Sequence, residues 1–300
     1  MQDVLQHLIN GLSLGSIYAL IALGYTMVYG VLQLINFAHA DIYMMGAFSS
    51  FYLSRWLNLE AHPGMGSLVL ALVASMATCA VLGVTIERLA YRPLRNAPKL
   101  NILITAIGVS LFLEFTAQVV FGADPKVFPT LINDVALIET PFVILKSLDV
   151  TVFVVTLLAL GVLHYLVYHT RFGKSMRAIS HSLTTANLLG INSNKVIVIT
   201  FIVGSALAGV GSVLVGLKYP KIDPLMGIMI GLKAFIAAVL GGIGNMTGAV
   251  IGALLMGLSE EFVVAYLSST LRDALAFGLL IGILIWKPSG LLGQNSIEKV

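Results

Sequence analysis

Apolar segments about as long as a bilayer is thick recur along the whole of this sequence. They cover residues 7–30, 35–55, 66–88, 100–121, 148–169, 196–217, 224–241, 246–267 and 270–286. A transmembrane helix needs roughly 20 apolar residues, and in lipid the backbone must satisfy its own hydrogen bonds. The segments are also much longer than the alternating strands of a membrane barrel. The sequence therefore predicts an all-α integral membrane protein, a polytopic bundle of about eight to nine transmembrane helices with some glycine-broken segments.

Composition agrees with a membrane protein of one domain. Charged residues make up 10% of the chain and hydrophobic residues 58%, whereas soluble domains average about 25% charged residues. No stretch between the apolar segments is long enough for a separate soluble domain, so we expect a single transmembrane domain over residues 1–300. The stretch at 224–241 is short and glycine-rich, and as a half helix it would reduce nine crossings to eight.

Two basic loops indicate how the chain lies in the membrane. One covers residues 88–99, and the other covers residues 171–195 and contains no acidic residue. The positive-inside rule places both in the cytoplasm, which explains the net charge of +3 better than nucleic-acid binding does. The acidic stretch at 122–149 is predicted to lie outside. The N-terminus is then outside, and with nine crossings the C-terminus is inside.

Residues for enzyme chemistry or metal binding are sparse. The sequence contains neither an HExxH nor a GxSxG motif, and its single cysteine, Cys79, predicts no disulfide and no cysteine-based metal site. Ionisable residues at membrane depth are costly, so His39, Asp41 and Glu114 are candidates for function. The plainer alternatives are that His39 and Asp41 are solvated or cap a helix, and that Glu114 bonds a neighbouring helix.

Glycines recur at helical spacing, which permits close approach of helices. The main group is Gly241, Gly242, Gly244, Gly248 and Gly252, and further pairs are Gly11/Gly15, Gly227/Gly231 and Gly278/Gly282. We expect tight packing within the chain, with a subunit interface or a moving hinge as the alternatives.

The basic segment at 171–195 has a second feature. Residues 178–190 predict a short amphipathic helix that ends at a glycine, and a helix there would be presented to a partner. The alternative is a polar connector without a partner.

Six stretches, in this order and spacing, carry a family resemblance. They are NGLSLGSIYAL (10–20), GYTMVYG (24–30), INFAH (35–39), IERLAYRPLR (86–95), LLGIN (188–192) and AAVLGGIG (237–244). Together they resemble the branched-chain amino-acid ABC importer permeases, specifically the LivH-type subunit.

The resemblance implies a bacterial inner-membrane, multi-pass subunit that carries leucine, isoleucine or valine inward by alternating access. It implies four kinds of neighbour: a related LivM-type permease subunit, two cytoplasmic ATPase subunits, a periplasmic amino-acid-binding protein and the lipid bilayer. ATP and Mg would bind to the ATPases, so this chain would be a transport subunit with no cofactor of its own, and not an enzyme. Alternatives are a urea or short-amide ABC permease and an ATP-independent secondary transporter.

The resemblance also assigns candidate residues. The segment that couples transport to the ATPase would comprise Ala186, Asn187, Leu188, Leu189 and Gly190, with Arg177 nearby. A zwitterionic substrate needs polar side chains along its path to interact with its ammonium and carboxylate groups. For this role we select Tyr25, Thr26, Asn36 and His39. Packing and interhelical hydrogen bonding are the alternative role for these four.

Overall fold

The computed structural model describes residues 2–95, 97–140 and 143–293, and its long helices coincide with the predicted apolar segments. The α-helices in the described residues are α1 (Gln2–Leu32), α2 (His39–Trp56), α3 (Met65–Ile86), α4 (Lys99–Phe121), α5 (Ser147–His169), α6 (Arg171–His181), α7 (Leu183–Leu188), α8 (Ser193–Lys218), α9 (Met226–Gly241), α10 (Met246–Tyr266) and α11 (Leu271–Trp286).

Two pairs of short antiparallel strands accompany the helices. β1 (Lys126–Val127) pairs with β4 (Lys221–Ile222), and β2 (Ala136–Thr140) pairs with β3 (Val143–Lys146). The all-α prediction missed these strands. All five residues of β2 are exposed, so β2 lacks the alternation of buried and exposed residues by which a strand is recognised in a sequence.

The core of the molecule is built around α1 and α8. Within α1, 94% of the most apolar window is buried, and the corresponding share for α8 is 72%. α1 packs against α5, α8, α9 and α10. Its contact with α10 is close because Gly15 faces Leu254 so tightly that a Cβ at Gly15 would lie 2.8 Å from the Leu254 Cα. Small residues therefore set the spacing of the central helices.

The outer helices expose apolar side chains. Phe112, Phe115 and Val119 of α4 are each more than half exposed, and so are Leu157 and Leu158 of α5. Continuous apolar surface of this kind suits lipid and not water. Six helical segments of the described chain are long and apolar enough to cross a membrane. α2, α9 and α11 are not among them, so the count of eight to nine crossings stays a prediction.

The two basic loops meet at one end of the molecule. Arg95 of the first loop donates a hydrogen bond to the Asn194 side chain of the second loop. A cavity of about 530 Å³ at this end is lined by residues of both, including Arg92, His181 and Asn187. At the opposite end, the backbone N–H of Ile144 in β3 donates to the Gln6 side chain at 2.9 Å. The prediction that the basic loops share one end, away from the stretch at 122–149, is confirmed.

Candidate functional site

The start of α2 lies inside the helical body. After α1 the chain turns back at Gln33, whose φ of +53° lies in the left-handed region, and α2 begins at His39. The His39 ring packs on Gly24, about two helical turns before the end of α1, and a Cβ at Gly24 would collide with it. Glycine at this position therefore allows the polar start of α2 to enter the core.

Two of the four predicted path residues are in direct contact here. The rings of Tyr25 and His39 pack edge to face, with centroids 4.7 Å apart. Asn36 is joined to His39 through the backbone, because the His39 N–H donates to the Asn36 carbonyl at 3.1 Å. Thr26 follows Tyr25 in α1, and all four residues are buried. The alternative in which His39 is solvated is wrong.

Several buried polar atoms in this region have no protein partner. They include Thr26 Oγ1, Asn36 Nδ2 and His39 Nε2, none of which has a hydrogen-bond partner among the described residues. The Asn36 Oδ1, in contrast, accepts a hydrogen bond from the Tyr91 hydroxyl at 2.6 Å. Buried polar groups are normally paired, so a group of unpaired ones marks a place where a polar ligand can compensate them.

Tyr25 also lies at an opening toward the basic end. It lines a small cleft with Tyr29, Phe235 and Ile243. Tyr29 and Ile243 also line a second cavity of about 420 Å³. Arg177 lines that second cavity as well, so the small cleft at Tyr25 borders a cavity of the basic end.

The buried carboxylates of Asp41 and Glu114 lie at the contact of α2 with α4. Ser110 of α4 donates a hydrogen bond to Asp41 Oδ2, and Asp41 is 1% exposed. A solvated Asp41 is therefore excluded. Its position in the first turn of α2 suits an acidic group, because the positive end of the helix dipole lies there.

The predicted helix at 178–190 is instead two helices, α6 and α7. Ser182 between them has an extended backbone, and its hydroxyl accepts a hydrogen bond from the Thr185 N–H at 3.2 Å. Serine is common at the N-cap of a helix and less favourable within one, because its hydroxyl can bond to a nearby backbone N–H. The chain therefore turns at Ser182 and presents α7 separately.

Helix α7 carries an exposed apolar end. Leu188 and Leu189 are 83% and 76% exposed, whereas Ala186 is 2% exposed and anchors the helix. Asn187 is exposed beside them, and Gly190, with a φ of +82°, ends the helix. The structure thus brings the predicted coupling residues of α7 together at one surface.

Arg177 lies apart from that surface. Its guanidinium donates a hydrogen bond to the Val167 carbonyl and lies 5.6 Å from the centre of the Tyr168 ring. It therefore holds α6 against α5 and is not part of the exposed end of α7.

The predicted glycine group packs within the chain. Gly241 of α9 lies against Gly248 of α10, and Gly252 lies against Ala237, with no room for a Cβ at any of these glycines. Gly242 and Gly244 have positive φ values of 106° and 92°, which suits the tight turn between the two helices. Packing within the chain was also expected for Gly278 and Gly282, but no described atom lies within 4 Å of a Cβ built at either. That expectation is wrong for this pair.

A buried cluster of charged residues was missed in the sequence. Lys233 of α9 lies 2.9 Å from Glu260 of α10 and 2.8 Å from Asp273 of α11. Glu260 also accepts a hydrogen bond from the Tyr18 hydroxyl at 2.9 Å. The Arg272 Nε lies 3.0 Å from Glu260, without the geometry of a hydrogen bond. A lysine in the middle of an apolar segment was the available signal, because such a residue requires a buried partner.

The family model and the full-length relatives agree on one family. The family model described as branched-chain amino acid transport system / permease component matches residues 7–284. The high-affinity branched-chain amino acid transport system permease protein BraD of Pseudomonas aeruginosa is 43% identical, over 99% of this chain and 98% of BraD. The corresponding LivH protein of Escherichia coli is 42% identical, over 99% of this chain and 97% of LivH. A probable LivH of Methanocaldococcus jannaschii is 30% identical, over 95% of this chain and 89% of that protein.

Proposed function

This chain belongs to the family of branched-chain amino acid transport system permease components, and we propose that it is the membrane subunit of an ATP-driven importer for leucine, isoleucine and valine. The observation that carries the proposal is similarity along nearly the full chain to proteins named for high-affinity branched-chain amino acid transport. The exposed apolar surface of the outer helices supports a place in the lipid bilayer, which in a bacterium is the inner membrane.

The two ends of the molecule support the partners that we propose. The basic end is cytoplasmic by the positive-inside rule, so α7 faces the cytoplasm. Leu188 and Leu189 are large apolar side chains exposed on that side, and they suit insertion into a groove of an ATPase subunit. Two such ATPases bind ATP and Mg. A LivM-type permease subunit lies beside this chain, and a periplasmic binding protein delivers the amino acid at the opposite end.

Transport requires a path whose two ends open in turn. In the described conformation, Thr26 of α1, Asn36 just before α2 and His39 at the start of α2 are buried with unpaired polar atoms. Separation of these helices would offer an amide donor to the substrate carboxylate and hydroxyl or imidazole acceptors to its ammonium group. The aliphatic side chain would pass Tyr25 and Phe235. Nucleotide binding in the ATPases drives the change only through different affinities for the two conformations.

Uptake of radiolabelled leucine into vesicles tests the proposal. The vesicles contain this chain with the permease, ATPase and binding-protein subunits encoded beside it, and uptake is measured with and without ATP. We expect ATP-dependent uptake of leucine that disappears when the ATPase is left out.

Two outcomes would contradict the proposal. ATP-dependent uptake of urea or short amides, without leucine uptake, would select a related importer of different substrate. Uptake that continues without ATP, driven by an ion gradient, would exclude the ABC assignment.

A further inference from the structure

The end of α3 carries two side chains that reach different parts of the molecule. Residues Glu87–Tyr91 continue α3 as a single π-helical turn, a widened turn that is rare and frequent at functional sites. Glu87 is completely buried and pairs with Arg95. Tyr91, one turn further on, donates its hydroxyl hydrogen bond to Asn36 at 2.6 Å.

Arg95 joins this turn to the end of α7. Besides Glu87, its guanidinium donates to the Asn194 side chain. Asn194 lies in the first turn of α8, four residues after Gly190. The intervening turn is held firmly, because the Ile191 N–H donates to the Ala186 carbonyl at 3.0 Å and the Asn192 side chain accepts from the Lys195 N–H at 3.1 Å. A displacement of α7 is therefore passed to Arg95.

On the other side, Tyr91 holds the residues before α2. Asn36 accepts its hydrogen bond, and the Asn36 carbonyl accepts from the His39 N–H. His39 in turn packs on the Tyr25 ring. The contacts thus run without a gap from α7, through Arg95 and the turn at the end of α3, to the buried start of α2.

We propose that Arg95 and Tyr91 are positioning residues that transmit movement of α7 to the residues around His39. The inference rests on the proposed function, since it assumes that α7 docks on the ATPase. It adds the link by which docking reaches the transport path. Neither residue needs to touch the substrate or the nucleotide.

The polar groups along this line favour a second arrangement. Arg95 Nε, Glu87 Oε2, Asn36 Nδ2 and His39 Nε2 are buried without a protein hydrogen-bond partner among the described residues. Unpaired buried groups cost free energy, so a conformation that pairs some of them would recover part of that cost. Coupling between distant sites requires an element with two discrete arrangements, and such a conformation would be the second arrangement of this line of residues.

Membrane orientation alone would not single out Arg95. Every basic residue of the loop contributes to the positive-inside rule, and exposed Arg92, three residues earlier, does so equally. Arg95 differs because it is partly buried and contacts both Glu87 and Asn194. Arg92 is therefore the matched control for the charge of Arg95.

The test uses the complete importer reconstituted in vesicles, with leucine imported per ATP hydrolysed as the readout. We expect Arg95→Gln and Tyr91→Phe each to lower this ratio at least about fivefold, while ATP hydrolysis and complex yield are retained. Arg95→Lys keeps the charge beside Glu87 and should recover part of the ratio, and Arg92→Gln should leave it unchanged. An unchanged ratio in Arg95→Gln, or equal losses in Arg92→Gln and Arg95→Gln, would overturn the link.

A double variant tests whether both residues act in one line. Removal of either link should abolish transmission, so Arg95→Gln with Tyr91→Phe should lower the ratio no further than the stronger single variant. If the two losses multiply, the residues act separately and the proposal is wrong. Tyr91→Phe removes a single hydroxyl, so this arm remains informative even if Arg95→Gln assembles poorly.

A readout without substrate separates this inference from the proposed function. Gln33, exposed in the turn before Asn36, is replaced by cysteine, and the rate of maleimide labelling is compared with and without ATP; native Cys79 is buried. We expect ATP to change the rate in the otherwise unaltered complex and not in the Arg95→Gln background. An ATP effect that persists in that background refutes the link. A complex that shows the ATP effect but imports no leucine refutes only the proposed substrate.

Discussion

Lys233 in α9 donates a hydrogen bond to Glu260 in α10 at 2.9 Å, and both side chains are almost completely buried. Tyr18 of α1 donates to the second oxygen of the same carboxylate, so three helices meet at one charged group. Removal of two charges from water costs nearly as much as their attraction returns. The pair therefore specifies how these helices meet more than it adds to stability.

Loss of one partner should be far more damaging than loss of both. Glu260→Gln leaves the Lys233 ammonium with only half-exposed Asp273, and breaking such a buried pair costs about 3–5 kcal/mol. We expect a clearly lower apparent melting temperature of the purified chain for Glu260→Gln, and a smaller loss when Lys233→Met is added.

The exposed pair of Lys146 with Asp134, at 3.3 Å, provides the control. Exposed ion pairs contribute about 0–1 kcal/mol, so Asp134→Asn should change the melting temperature little. If the double variant at Lys233 and Glu260 is less stable than Glu260→Gln alone, the account of the buried pair is wrong.

The exposed end of α7 predicts a separation of folding from coupling. Leu189 is 76% exposed, so Leu189→Asp should leave expression and melting temperature unchanged. The charge would meet an apolar groove of the ATPase, and we expect substrate-stimulated ATP hydrolysis to fall. Leu137→Asp, at a leucine that is 57% exposed at the opposite end, should leave it intact. Normal stimulation in Leu189→Asp would remove α7 from the ATPase interface.

The glycines divide into crowded and open positions. A Cβ at Gly252 would meet the Ala237 carbonyl oxygen and the backbone of Gly241, whereas no described atom lies within 4 Å of a Cβ at Gly278. Gly252→Ala should therefore destabilise the purified chain by about 1–3 kcal/mol through overpacking. Gly278→Ala should be neutral or stabilising by up to about 1 kcal/mol, because alanine favours the helix. Equal melting temperatures would show that α9 and α10 separate more easily than their packing indicates.

Two buried threonines distinguish the transport path from ordinary core. Thr26 and Thr156 are both almost fully buried with an unpaired Oγ1 among the described residues, so replacement by valine should preserve or raise the melting temperature at each site. Only Thr26→Val should raise the KM for leucine uptake, since Thr156 lies on α5, outside the candidate path. Wild-type uptake by both variants would assign Thr26 to packing alone.

The long helices were predictable because the bilayer fixes their length. The predicted segment at 246–267 differs by one residue at its end from α10, and that at 148–169 differs by one at its start from α5. Positions at which a local turn or a side-chain cap interrupts an expected helix were harder to predict. Ser182 ends a helix that amphipathic spacing alone would continue, and the turn at Gln33 delays α2 from residue 35 to His39.

Contacts between distant residues were not predictable from the local pattern. Lys233 and Glu260 are 27 residues apart, and Arg95 and Asn194 are 99 apart. An apolar segment shows that a charged residue inside it needs a partner, but not which one. The path candidates were chosen because a zwitterionic substrate needs polar side chains along its path. In the structure Tyr25 and His39 contact each other, because Gly24 leaves room for the His39 ring. The role of Gly24 was not recognised in the sequence.

The position of Lys233 has a consequence for biosynthesis. α9 is only 16 residues long and precedes Glu260 and Asp273 in the chain, so it enters the translocation machinery before the helices that carry them. A lysine at the centre of a membrane helix costs about 2.5–3.5 kcal/mol on insertion. Pairing with Glu260 of α10 offsets part of this cost, so α9 and α10 favour insertion into the membrane together. A released chain that ended between Gly241 and Met246 would hold the Lys233 ammonium group in the membrane without either of its carboxylate partners.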